Sequence, residues 1–178
     1  MGNIRNWLEL KFMGPLKYAR KIGVKIGSQS RLVDMPNFGS EPYLITIGKH
    51  VLISFDVTFI THDASTFVFR EKEGYKNIYK FGPIVVGDNC FIGAKTIILP
   101  NVKIGNDCII GAGSLVNRDV PSGEVWAGVP ARRISTTIEY AEKCKKHKLP
   151  YDDELINTNK KEEMLRVVTV GRIDNAGN

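Results

Sequence analysis

Six β-branched aliphatic residues recur at every sixth position from Val86 onward: Val86, Ile92, Ile98, Ile104, Ile110 and Val116. Glycine follows four of them, at Gly87, Gly93, Gly105 and Gly111. A small residue stands four places after each, at Cys90, Thr96, Val102, Cys108, Ser114 and Val120. This period matches neither a lone helix nor an ordinary alternating strand. It matches a solenoid with flat sides, each side supplying one short strand. On this reading the aliphatic points inward and the small residue fills the narrow part of the interior. The glycine supplies backbone freedom at the corner.

A weaker copy lies upstream. Sixes begin at Ile26 and run through Leu32, Phe38 and Leu44, then slip by three to Ile47, Ile53 and Phe59. The slip sits beside Gly39-Ser40-Glu41-Pro42 and predicts a small corner insertion, with Asn37, Ser40 and Glu41 standing clear of the coil wall. Turn chemistry and acceptor binding are both open for these residues. After Phe59 the pattern stops, to resume at Val86 or one irregular step earlier at Lys80. Between them a protruding loop, residues 63–83, carries Phe67, Phe69, Tyr75, Tyr79 and Phe81. A loop this long in a compact domain is usually functional, although a flap packing its own aromatics has the same composition.

The flanks are helical in pattern. Residues 4–21 form one or two short amphipathic helices broken at Gly14-Pro15, with Trp7, Leu8, Phe12, Leu16 and Tyr18 available to cap the open first coil. A membrane-surface helix is the alternative. After Ile134, Thr136 and Glu139 form a capping-box pair for a helix through Lys146. A second helix is expected from Asp152 to Leu165, and fraying around Gly171 to Asn178. The predicted division is a helical cap at 1–23, the solenoid at 24–135 and a helical tail at 136–178.

Composition narrows the class. At 178 residues one domain is expected, with 43% hydrophobic and 25% charged residues as in ordinary globular chains. No apolar run is long enough to span a bilayer. Arg5, Glu9 and Lys11 interrupt the N-terminal apolar residues, so no signal peptide is expected. Cys90, Cys108 and Cys144 make no disulfide framework; the first two stand eighteen residues apart and are expected to stack as small interior residues. These features point to the cytoplasm. The net charge of +6 is scattered, without an aromatic-interleaved basic groove, so nucleic acid is not an expected partner. A solvated surface and an anionic cofactor both remain compatible with that charge.

The run VGDNCFIGAKTIILPNVKIGNDCIIGAGSLVNRDVPSGEVWAGVPARRI resembles the hexapeptide-repeat acyltransferases, in particular their sugar and xenobiotic O-acetyltransferase branch. Within it, the acetyltransferases of surface-polysaccharide assembly are most similar in loop and tail. The resemblance implies an all-β solenoid, a left-handed parallel β-helix, whose hand opposes the usual crossover preference. It also implies acetyl-CoA as acyl donor and a homotrimer in which each loop reaches the site of the neighbouring subunit.

The resemblance also assigns residues. His62 ends VTFITHD where the loop departs, and it matches the family's catalytic histidine; His50 and His147 read as exposed. Transfer of acetyl from a thioester to a hydroxyl needs a proton acceptor, and an imidazole has an unperturbed pKa of about 6.5. The family transfers directly in a ternary complex, and the chain has no Gly-x-Ser-x-Gly elbow. Asp63 orients His62, binds the acceptor or is a solvated turn residue; Asn37 and Glu41 bind the acceptor if they are more than turn residues. Ala94 and Ala112 match the small residues along which relatives pass the pantetheine arm. Asn117-Arg118 stands where the family has Thr-Lys. Arg132 matches a basic residue near the nucleotide phosphates, where a guanidinium fork is apt. The next basic position of the galactoside enzyme is Ser135 here, with Arg133 as a substitute. No metal is expected. Competing readings are an antibiotic-inactivating acetyltransferase, a zinc enzyme like the γ-carbonic anhydrases, and a non-catalytic solenoid binding module.

Overall fold

The computed structural model describes residues 4–175, with side chains from 8 to 168. The chain divides into two compact units, Met1–Ile138 and Glu139–Asn178.

The first unit opens with α1 (Ile4–Met13) and α2 (Pro15–Lys21), separated at Gly14. Strands then arrive coil by coil: β1 (Lys25–Ile26) and β2 (Arg31–Leu32); β3 (Ile45–Ile47), β4 (Leu52–Ile53) and β5 (Thr58–Phe59); β6 (Ile84–Val86), β7 (Phe91–Ile92) and β8 (Ile97–Ile98); β9 (Lys103–Ile104), β10 (Ile109–Ile110) and β11 (Leu115–Val116). The first strands of each coil stack as one parallel sheet, β1-β3-β6-β9, the second as β2-β4-β7-β10, and the third as β5-β8-β11. The result is a three-sided parallel β-solenoid. Val86 pairs with Ile104, eighteen residues on. Ile26 pairs with Ile47, twenty-one residues on, and Ile47 with Val86, thirty-nine on. The three extra residues of the first interval lie around a 3-10 turn at Pro42–Leu44, as the slip in the sixes predicts. The excess in the second is the loop after β5.

One side chain of each two-residue strand faces in, and two of each three-residue strand, β3 and β6. Ile53, Ile92, Ile98, Ile104, Ile110 and Val116 are fully buried, and Cys90, Thr96, Val102, Cys108, Ser114 and Val120 fill the places between them. Polar members of this interior column find backbone partners: the Cys90 thiol donates to Gly105 O at 3.1 Å and Cys108 to Pro121 O at 3.1 Å.

The motif glycines have a different reason from the one expected. None of Gly87, Gly93, Gly105 and Gly111 has a left-handed backbone; each lies so close to the next coil that a Cβ has no room. At Gly87 it would meet the Gly105 carbonyl at 2.7 Å, and at Gly93 the Ala112 nitrogen at 2.5 Å. The positive φ angles fall instead on polar corner residues, among them His50, Asp56, Asn89, Lys95 and Asp107, where Asn and Asp tolerate this conformation best.

The N-terminal helices also differ in detail. Ala19 is fully buried in the core cluster, with Ile22 packed against it, whereas Phe12 is 85% exposed and caps nothing. The Trp7 side chain lies outside the described residues. The last coil ends with β12 (Glu124–Ala127), parallel to β10, and β13 (Arg132–Thr136), which turns back antiparallel on β12.

The second unit is helical: α3 (Thr137–Lys146, beginning at the unit boundary), α4 (Asp153–Thr158) and α5 (Lys160–Asn175). The expected single helix from Asp152 is two. Asp152 caps α4, accepting from Glu154 N at 2.8 Å and Leu155 N at 3.0 Å, and the chain breaks at Asn159. Helix α5 continues through Gly171 to Asn175, which corrects the fraying expected there; residues 176–178 of that expectation lie outside the described residues. Among the described residues no helix is long and apolar enough to cross a membrane.

Candidate active site

The loop leaves the solenoid at the corner that follows β5. Its two ends are zipped together: His62 bridges Phe81 antiparallel, Asp63 N donates to Lys80 O at 2.9 Å, and Gly82 N to Thr61 O at 2.8 Å. Asp63 then starts a 3-10 helix, Ala64–Val68, by accepting from Ser65 N at 2.9 Å. The other Asp63 oxygen takes the Lys80 ammonium at 3.0 Å. These contacts hold the Asp63 carboxyl well below the usual carboxylate range, the Ser65 hydrogen bonds first and Lys80 after them. Asp63 therefore fastens the loop and does not orient His62.

Glu41 takes that position. Its Oε2 lies 2.9 Å from His62 Nδ1 and accepts from Thr61 Oγ1 at 2.7 Å. The Thr61 hydroxyl, and after it His62, outweigh burial and hold the Glu41 carboxyl below its ordinary value. An ionised carboxylate only accepts hydrogen bonds, so Nδ1 carries the proton it donates. In the neutral ring this leaves Nε2 as the basic nitrogen. The expectation that Glu41 stands clear of the coil wall is thus corrected: its side chain is only 14% exposed. The 3-10 turn at Pro42–Leu44 folds the insertion back onto the next coil. Asn37 does stay exposed and spends its side-chain oxygen on Gly39 N at 3.0 Å, a turn contact.

Glu41 and His62, with Ser40, Asp63, Arg70, Tyr79, Lys80 and Phe81, line a cavity of about 260 Å³. Tyr79 and Phe81 stack with centroids 6.3 Å apart. His50 is remote from it, held at an exposed corner by Asn89 Oδ1 at 2.7 Å. His147 is exposed just beyond α3. Among the described residues no group of three His, Cys, Asp or Glu side chains is placed to hold a metal ion.

The remaining predicted residues lie on the coils away from this cavity. Ala94 and Ala112 stack at the corner between the second and third sides, where Gly113 N donates to Ala94 O at 2.7 Å. Gly128 continues the column, accepting from Leu115 N at 3.0 Å. None of these three residues carries a side chain longer than a methyl. Asn117 and Arg118 follow β11, and the stacking of β5, β8 and β11 sets them two coils from the corner that bears His62. Arg132 is exposed on β13 and makes one hydrogen bond, to its neighbour's carbonyl, Ala131 O, at 2.8 Å. Arg133 is bound at 3.0 Å to Glu124, which also holds Trp126 Nε1 at 2.7 Å.

Comparison with known proteins accounts for this architecture. Residues 83–118 match the family model of the bacterial transferase hexapeptide, six repeats. Protein CapG of Staphylococcus aureus is 50% identical over 126 residues, which cover 70% of this chain and 72% of CapG. The chain belongs to the hexapeptide-repeat acetyltransferase family. Galactoside O-acetyltransferase of Escherichia coli (strain K12) is 42% identical over 94 residues, covering 53% of this chain and 45% of that enzyme. Among solved structures, a hexapeptide-repeat acetyltransferase of Vibrio cholerae O1 biovar eltor, complexed with acetyl coenzyme A, superposes with a TM-score of 0.54 at 25% identity, covering 75% of this chain and 84% of that one. The family repeat thus supplies the coils, while the two departures from it, the insertion bearing Glu41 and the loop after His62, build the cavity.

Proposed function

We propose that the protein is an acetyl-CoA-dependent O-acetyltransferase that acts on a hydroxyl of a sugar or polysaccharide precursor, with His62 as general base in a direct, ternary-complex transfer. The observation that carries this reading is the Thr61–Glu41–His62 chain at the cavity. Glu41 fixes the tautomer and orientation of the ring, as the carboxylate does in a serine-hydrolase triad. His62 Nε2 takes the hydroxyl proton as the acceptor oxygen bonds to the thioester carbon, and Glu41 stabilises the imidazolium that forms. His62 returns the proton to the departing sulfur when the C–S bond breaks, leaving an ester and the free thiol. No residue is acetylated and the histidine ends as it began.

The acyl donor supplies the activated carbonyl, and the chain has a surface that fits it. The column Ala94–Ala112–Gly128 is a flat wall of bare backbone, and Arg118 and Arg132 are exposed guanidinium groups that, among the described residues, form no ion pair with a carboxylate. Arg133 is the weaker phosphate ligand because Glu124 already holds it. In one chain this wall and His62 lie at different corners, so a left-handed solenoid packed as a homotrimer, with sites between subunits, is part of the same proposal. Asn37 is left as a turn residue, Asp63 as the loop clasp and Glu41 as the positioning residue.

The test is a screen of hydroxyl and amino acceptors with acetyl-CoA, following thiol release. Esterification of a saccharide hydroxyl, lost in His62→Ala, is the expected result. Acetylation confined to amines, or no acceptor-dependent thiol release across sugars, overturns the reading.

A further inference from the structure

The cavity beside His62 holds a cation, Arg70, that neither the proton transfer nor the Asp63 clasp uses. Arg70 lines it, with its guanidinium carbon 5.1 Å from the Tyr79 ring centroid. Its charge is uncompensated. Glu41 is taken by Thr61 and His62, and Asp63 by Ser65 and Lys80. Among the described residues no carboxylate forms an ion pair with Arg70, the flanking Glu71 and Glu73 included. Its hydrogen bonding is equally incomplete. Nη2 donates to Thr66 Oγ1 at 3.3 Å, and the buried Nε–H has no partner. Buried donors without a partner are uncommon in folded proteins. Tyr79 lies against the guanidinium with its ring centroid at 5.1 Å, and the Nη edge of a guanidinium is the geometry that suits a carboxylate or phosphate. Lys80, by contrast, is neutralised by Asp63, so Arg70 alone sets the sign of the cavity's loop side.

Resting on the acetyltransferase reading of the same cavity, we propose that Arg70 determines acceptor specificity by pairing with an anionic substituent, carboxylate or phosphate, on the saccharide. The stacked Tyr79 and Phe81, each about half exposed at 57% and 50%, offer the adjacent flat wall for the sugar ring. The acceptor is then a charged sugar, a uronic acid or a sugar phosphate, held by its anion at Arg70 while its hydroxyl meets His62.

The experiment compares galactose, galacturonate and galactose 6-phosphate on wild type, Arg70→Gln and Arg70→Lys. Binding is followed by NMR of the protein without acetyl-CoA, and turnover by thiol release with it. Wild type is expected to bind at least one anionic sugar about 10- to 100-fold more tightly than galactose, the range of a charge-assisted hydrogen bond. Arg70→Gln should erase that preference, bringing the anionic sugars down to the affinity of galactose in a protein that remains folded. Arg70→Lys should keep part of it. Which anion shows the larger loss distinguishes carboxylate from phosphate. Equal binding of galactose and both anions by wild type, or an equal loss on all three in Arg70→Gln, overturns the proposal. The preference and its loss in Arg70→Gln, seen without turnover of any sugar, uphold Arg70 and count against acetyl transfer instead.

Discussion

At the scale of single residues, Thr61 and His62 converge on one oxygen of Glu41. Replacing Glu41 by Gln removes the anion that favours the imidazolium and loosens the ring. We expect kcat to fall on the order of 10²-fold. An undiminished kcat in a folded Glu41→Gln protein would show that Glu41 does not act through His62. On the proposed reading Arg132 belongs to the donor side. Arg132→Ala should raise KM for acetyl-CoA by the loss of about 1.5–3 kcal/mol with kcat changed less; kinetics with dephospho-CoA show whether the 3′-phosphate is its partner. His62 was legible in the sequence because the repeat ends there and the loop begins. The partnership with Glu41 was available in the register: Asn37 bridges Thr58 at a spacing of twenty-one, and the same step from Glu41 reaches His62. Arg70 had no such signal, because the loop that positions it has no period.

At the scale of elements, the six-residue period yields the strands almost directly, since one inward aliphatic per side is what a three-sided coil must bury. The physical role of its glycines was not visible, because close approach between coils is a property of the stack and not of the local chain. Gly87→Ala should cost about 1–3 kcal/mol through forced displacement of the adjoining coil, read as a fall in the denaturation midpoint; an unchanged midpoint would mean that the coils yield freely. Helices α4 and α5 are coupled by Glu163, which accepts from Asp152 N at 2.6 Å and Arg166 Nη2 at 2.6 Å. The Arg166 guanidinium first, then the Asp152 N–H, hold the Glu163 carboxyl at about 2, against an ordinary value of 4.5. A depressed carboxyl pKa stabilises the fold above the unfolded value and loses that contribution as pH falls through the folded one. Helical signal from this unit should therefore weaken between about pH 4.5 and 2, and Glu163→Gln should weaken it already at neutral pH. The break at Asn159 between the two helices is not legible in the sequence, because no Gly or Pro marks it and residues 157–163 carry no apolar position to show a change of register.

At the scale of the whole molecule, the family repeat gives the solenoid and its two interruptions line the cavity. One corner bears His62 and its cavity; another bears the Ala94–Ala112–Gly128 wall. A ternary-complex transfer requires these to meet, and a threefold assembly lets a corner of one subunit face a different corner of the next. Light scattering should report three chains per particle at micromolar concentration. An active monomer would require the donor to bind elsewhere on the chain.

The account turns on His62 as the proton acceptor, and its most direct measurement is kcat for His62→Ala at saturating acetyl-CoA and acceptor, with CoA affinity measured on the same preparation. The predicted result is a fall of about 10²–10⁴-fold with CoA binding and melting temperature unchanged, while His50→Ala and His147→Ala stay near wild type. A folded His62→Ala protein turning over at close to the wild-type rate would contradict it.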